Sequence, residues 1–171
     1  MVQNQGLDRR YHLKEREVRE ILERAAVTLG KIDLTPFMKG METAKISPQD
    51  EVLIMDDTAI FIRANGEVFP TLLNKEVLQK LPVITVDMGA VPHLCNGADL
   101  MAQGIVNASG EFQTGAMVVI VDEKFFKPIA LVKILYSSNE LLEKKQGKVA
   151  DNIHFVGDRF WKLYKQAKSR T

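Results

Sequence analysis

The sequence predicts an α+β protein: a small α+β domain over residues 1–78, then a small twisted β-barrel over residues 79–171. Three observations carry this. Lys14 to Leu29 holds one strongly amphipathic helix. Turn signals at Asp56-Asp57 and Asn65-Gly66 cut the following stretch into short strands. From Pro82 onward, short β-branched runs alternate with glycine-containing turns, and few stretches have helical spacing.

Taken in order, Leu7 to Tyr11 reads as a lead-in. In Lys14–Leu29, Val18, Ile21, Leu22, Ala25 and Leu29 share one helical face, and Gly30 is the stop. Lys31 to Gln49 is irregular, with breaks at Pro36, Gly40 and Pro48. Glu51–Met55, Thr58–Arg63 and Glu67–Phe69 read as strands joined by tight turns. Asn74 caps a short helix that ends near Leu81 and joins the domains.

The stretch Pro82 to Ile105 organises the second domain. Pro82–Val86 reads as a buried strand. Asp87-Met88-Gly89-Ala90 is a break, followed by a short helix with Pro92 in its first turn and a stop at Asn96-Gly97. Ala98 to Met101 starts another strand, and Gln103-Gly104 turns. Asn107 to Gly110 reads as a turn. Ala116–Val121 and Pro128–Leu135 are strands joined through Asp122–Lys127. Ser138–Lys145 is a helical turn ended by Gly147. Ile153–Val156 and Arg159–Tyr164 are expected to close the sheet, with Gly157-Asp158 between them and Trp161 filling the barrel or stacking on a base.

A chain of 171 residues with 46% hydrophobic and 26% charged residues has an ordinary globular composition. No apolar run reaches the roughly 18 residues of a membrane span, and the first residues lack the apolar core of a secretory signal. The single Cys95 makes no internal disulfide. These readings point to the cytoplasm, where the Asn107-Ala108-Ser109 sequon stays unused. The net charge of +1 hides an asymmetry. Lys124 to Thr171 holds eleven basic and four acidic residues, while the first 123 residues hold twelve and eighteen. A basic end suggests a nucleic-acid partner, and a solvated tail is the alternative.

No catalytic set is visible. His12, His93 and His154 lie far apart. His93 and Cys95 are two positions apart, so a helix turns them to different faces. Asp56-Asp57 fits a turn better than a metal or acid–base pair, and no phosphate loop of the G-x-x-x-x-G-K-[ST] kind exists. Gly89-Ala90 at a helix start offers N–H groups that suit a phosphate. The other reading is that Gly89, Gly97 and Gly104 serve packing and turns.

A strand ending in Asp87-x-Gly-Ala, a short helix, Gly97-Ala-Asp-Leu-Met-x-x-Gly-Ile, and the ending Asn152-Ile-His-Phe-Val-Gly-Asp-Arg-Phe-Trp together resemble a PUA domain, an RNA-binding module. A small preceding domain, or pre-PUA domain, makes the chain similar to the malignant T-cell amplified sequence family and its archaeal relatives. The resemblance implies a PUA-type mixed β-barrel. It also implies an RNA cleft between the short helix with its following strand and the closing C-terminal strand. Carried over by position, the RNA-binding residues are Gly89, Ala90, His93, Gly97, Ala98, Met101, Gln103 and Gly104, with Arg159 and Lys162 on the closing strand.

The implied function is non-enzymatic RNA binding in translation, with no cofactor and no membrane. The RNA is tRNA or small-subunit rRNA, and the setting is the small ribosomal subunit in initiation, reinitiation or recycling. A protein partner resembling density-regulated protein is implied as well. The alternatives are an accessory subunit of an RNA-modification enzyme and a protein-interaction module without RNA binding. Fold alone does not decide among them.

Overall fold

The computed structural model describes Leu7 and residues 9–168, with side chains as far as Lys165. The chain forms two compact units. One runs up to Val77 and includes the stretch from Lys162; the other is Leu78–Trp161.

In the first unit, five strands pair antiparallel in chain order: β1 (Arg10–His12), β2 (Glu42–Lys45), β3 (Glu51–Met55), β4 (Thr58–Ala64) and β5 (Glu67–Pro70). The helix α1 (Glu15–Leu29) packs on β5 and buries the five apolar residues that its spacing predicts. Glu17 reaches back to accept the Lys14 N–H at 2.8 Å. The two hairpins turn through left-handed pairs, Asp56 with Asp57 and Asn65 with Gly66, as tight primed turns require. Two expected loops are instead partly strand. The lead-in provides β1 and the irregular stretch provides β2, and the two pair with each other. β2 reads Glu-Thr-Ala-Lys, which has no apolar run to announce it. A short helix, α2 (Lys75–Leu78), follows, and Asn74 Oδ1 accepts the Val77 N–H at 3.2 Å.

The second unit is a six-stranded mixed sheet. Its strands are β6 (Val83–Val86), β7 (Leu100–Met101), β8 (Ile105–Ser109), β9 (Met117–Asp122), β10 (Pro128–Ile134) and β11 (Lys148–Phe155). They lie in the order β7-β11-β10-β9-β6-β8, and only β6 with β9 is parallel. β7 and β8 occupy opposite edges, yet only Ala102–Gly104 joins them. Three linking residues span little more than about 14 Å even when extended, so the sheet must curl its edges together. Its strands contribute Ile84, Val86, Leu100, Val118, Ile120, Val132, Ile134 and Val149 to one apolar cluster, which Leu94 from the segment before β7 joins.

Three helices complete this part of the chain: α3 (Val91–Leu94), α4 (Ser138–Glu143) and α5 (Arg159–Lys168). Ser137 and Glu140 cap α4 reciprocally, at 3.3 and 2.8 Å.

Three sequence expectations are corrected. Asn107–Gly110 is not a turn: Asn107 to Ser109 continue β8 and pair with β6, and the chain turns at Gly110. β11 starts at Lys148, well before Ile153. Arg159–Tyr164 is not a closing strand but the first part of α5. Asp158 Oδ1 accepts the Trp161 N–H at 2.8 Å, a helix N-cap, and Phe160 and Tyr164 are buried at i, i+4 spacing. Aromatic side chains suggested a strand, but the cap and the helical spacing decided otherwise. Trp161 is accordingly half-buried on α5 rather than filling a barrel. Among the described residues, no helix is long and apolar enough to cross a membrane.

Candidate nucleic-acid interface

The α3 face is built from both ends. At its start, Asp87 Oδ1 accepts the Ala90 N–H at 2.8 Å, which folds the Asp87–Ala90 break into a turn and sets the helix direction. At its end, the Asn152 side-chain amide on β11 donates to the carbonyls of Leu94 (3.0 Å) and Ala98 (2.9 Å). The Asn152 backbone N–H donates to Asp99 Oδ1 at 2.9 Å. One asparagine thus pins the loop after α3 to the sheet. Gly97 sits at φ +90°, where a side chain would be strained and a Cβ would lie 3.3 Å from the Phe155 ring.

The turn after β7 closes on the same helix. The Gly104 carbonyl accepts the Asp87 N–H at 3.0 Å, and a Cβ on Gly104 would meet the Ala90 Cβ at 3.0 Å. The eight residues named for this region therefore share one neighbourhood. Gly89, His93, Gly97, Ala98, Met101 and Gln103 are exposed, while Ala90 and Gly104 are half-buried. Gly157, just before α5, lies close to the Cys95 carbonyl. Arg159 is the exposed first residue of α5, with its guanidinium 4.4 Å from the Phe160 ring centroid. Lys162 lies one turn further on the helix, in the stretch grouped with the first unit, and not on a strand. Burial pushes the Cys95 thiol up, which makes it a poorer nucleophile. Among the described residues, no three His, Cys, Asp or Glu side chains gather as a metal site.

The PUA domain family model matches residues 82–156. An uncharacterized protein of Methanocaldococcus jannaschii is 35% identical over 156 residues, covering 90% of this chain and 95% of that one. The Drosophila melanogaster homolog of malignant T-cell-amplified sequence 1 is 29% identical, covering 84% and 82%. The chain belongs to the PUA-domain family that includes the malignant T-cell-amplified sequence proteins. Translation machinery-associated protein 20 of Saccharomyces cerevisiae is 24% identical over 75% of each chain. A crystallised PUA domain protein from Aeropyrum pernix K1 superposes with a TM-score of 0.77 at 25% identity, covering 93% of this chain and 92% of that one.

In this PUA-family chain, the start of α3 is not the open phosphate cradle that the sequence suggested. The Ala90 N–H is taken by Asp87, and the Met88 N–H donates to Glu123 Oε1 at 3.2 Å. Two carboxylates occupy these N–H groups, so the backbone at that end does not hold a phosphate. Other cationic groups lie at the opposite margin. Gln103 Oε1 accepts the Gly147 N–H at 3.2 Å, and the Ala102 N–H donates to the Gly147 carbonyl at 2.8 Å, so the Lys144–Gly147 loop flanks the face. Lys144 and Lys145 are exposed there, the Lys144 amine 4.3 Å from the Tyr136 ring centroid. Lys148 is already committed to Asp151 (2.6 Å) and Asp99 (2.9 Å). Those hydrogen bonds push its pKa up, and the Lys148 and Asn152 hydrogen bonds hold Asp99 below the usual carboxylate range.

Reasoning from sequence missed Lys144, Lys145 and Asn152 as parts of this site. The lysines were included in the basic count of the C-terminal stretch. Nothing local, however, indicated that Gly147 meets Gln103, 44 positions earlier.

Proposed function

We propose that this protein binds RNA in translation by recognition alone, without chemistry of its own. The RNA would be tRNA or rRNA at the small ribosomal subunit. The observation that supports this reading best is the α3 face. Small residues (Gly89, Gly97, Ala98) and the exposed His93 and Met101 let a nucleotide approach closely, and Lys144 and Lys145 border the same face. Bases and sugars would lie on the small residues, with phosphates held by the lysines and Arg159. Residues 79–171 carry RNA binding in this reading. Residues 1–78 dock on protein, either the ribosome or a partner resembling density-regulated protein. The names of the translation-associated relatives support this setting and a cytoplasmic location. No catalytic group is assigned.

Fluorescence anisotropy with tRNA and with purified small subunits, across a salt series, tests the reading. With about four single-stranded phosphates contacted, affinity falls roughly fifty-fold between 50 and 200 mM salt. His93→Glu, at an exposed position, weakens binding at least about tenfold if phosphate or base edges approach it. Failure of the wild type to bind either RNA at low salt removes the proposal. Copurification with a modification enzyme instead of ribosomal proteins replaces it with an accessory-subunit role.

A further inference from the structure

The turn between β9 and β10 presents Lys124-Phe125-Phe126-Lys127 at the surface, with Phe125 62% and Phe126 66% exposed. It is a rigid turn. Asp122 is 3% exposed, and its carboxylate accepts the N–H groups of Lys124 (3.0 Å), Phe125 (2.5 Å) and Lys127 (3.1 Å). Its carbonyl accepts the Phe126 N–H at 3.1 Å. Phe126 also stands at φ +54°, a conformation that a glycine or asparagine would adopt with far less strain. The chain therefore holds two rings in water, one of them at a strained position, on a frame built to keep them there. Strain retained at an exposed aromatic residue points to function rather than packing.

The charge pattern indicates what covers the rings. The Lys124 and Lys127 amines lie 5.2 and 5.8 Å from the Phe125 ring centroid, so both cations gather at Phe125 rather than at Phe126. A dry protein contact would have to desolvate two ammonium groups, whereas a polyanion pairs with them. The turn also adjoins the α3 face. The Glu123 N–H donates to the Val86 carbonyl at 3.0 Å, and Glu123 accepts the Met88 N–H. We infer that this turn is a stacking platform for single-stranded RNA: an unpaired base lies on Phe126, and Lys124 and Lys127 hold the phosphates on either side of it. The inference rests on the RNA-binding reading above and extends it to a second contact at the carboxylate-lined end of α3. Stacking on a ring needs no particular base, so the contact tolerates sequence variation.

The test uses the full chain and a twelve-nucleotide single-stranded ribooligonucleotide carrying one 2-aminopurine, with the fluorophore position varied. In the wild type, 2-aminopurine fluorescence is quenched on binding. Phe126→Gly, which relieves the positive φ while removing the ring, abolishes that quench and weakens binding about five- to fifty-fold. Lys124→Gln with Lys127→Gln lowers the salt slope by about 1.4 and retains the quench. Wild-type RNA binding with normal salt dependence but unchanged affinity in Phe126→Gly overturns this inference alone. No RNA binding by the wild type overturns both readings. Ring-dependent binding to phosphatidylserine vesicles, with RNA affinity unchanged, reassigns the turn to a membrane surface and overturns the inference.

Discussion

The two units use their carboxylates differently. In the first, five acids face arginines: Glu20 with Arg16, Glu15 with Arg19, Asp57 and Glu42 with Arg10, and the buried Glu51 with Arg63. In the second, acids mostly hold backbone N–H groups. Asp87 takes Ala90, Asp122 takes three residues of its turn, Glu140 takes Ser137, and Asp158 takes Phe155 and Trp161. Three lysines there lie over rings, Lys124 and Lys127 at Phe125 and Lys144 at Tyr136, while Lys148 is ion-paired. An acid bound to backbone N–H groups keeps its charge but does not tie up a cationic side chain, whereas one paired with an arginine does. Net charge does not show this difference: Leu78–Trp161 carries eight Lys or Arg against nine Asp or Glu.

The largest expected effect tests the staple role. Asp158 accepts the Phe155 N–H at 3.1 Å, caps α5, and lies 2.6 Å from the fully buried His154 Nδ1. Asp158→Ala removes this one acceptor from all three and should cost about 2–4 kcal/mol in urea unfolding followed by Trp161 fluorescence. Burial pushes the Asp158 carboxyl up, but the His154 and backbone hydrogen bonds more than offset it and hold it below the usual range. A depressed folded pKa gives stability that is complete above the unfolded value of about 3.9 and lost as pH falls through the folded value. The wild type should therefore lose stability below about pH 4, and Asp158→Ala should flatten that acid limb. An unchanged acid limb would break the comparison.

Next is the counter-ion role. Arg63→Ala strands Glu51, which also accepts the Thr43 hydroxyl in a buried setting. The expected loss is about 2–3 kcal/mol in the first unit's stability, with RNA affinity unchanged at a temperature where the variant is folded. The exposed Arg16–Glu20 pair is the internal control: Arg16→Ala should cost no more than about 0.5 kcal/mol. A fall in RNA affinity in Arg63→Ala would show that the first unit's arginines are available after all.

The sequence shows where the chain encodes its structure locally and where it does not. Asp56-Asp57 and Asn65-Gly66 specify their own left-handed turns, so β3 to β5 were readable. α1 was readable because five apolar residues share one face. β8 was not. Its residues after Ile105 are exposed, and only pairing with β6 makes them a strand. α5 was misread because Phe160, Trp161 and Tyr164 favour strands, while the deciding Asp158 cap looked like part of a turn. The α3 side of the site lies within one continuous stretch and was legible. Its cationic side depends on Gly147 meeting Gln103 and Ala102, a tertiary contact without a local signature.

That tertiary contact sets the smallest effect. Lys144 and Lys145 are exposed on a loop held beside Met101 and Gln103, and the Lys144 amine lies over the Tyr136 ring. Lys144→Ala with Lys145→Ala should cost no more than about 0.5–1 kcal/mol of stability, the worth of an exposed cation–ring contact. If each lysine neutralises one phosphate, the salt slope of RNA binding falls by about 1.4 and affinity at moderate salt drops about three- to tenfold. The slope is the sharper readout, because a distorted face would lower affinity while keeping the number of phosphates contacted. An unchanged slope in this variant, set against a reduced slope in Lys124→Gln/Lys127→Gln, would move the phosphate contacts from the Gly147 margin to the aromatic turn, and the polarity of the bound strand across α3 would have to be redrawn.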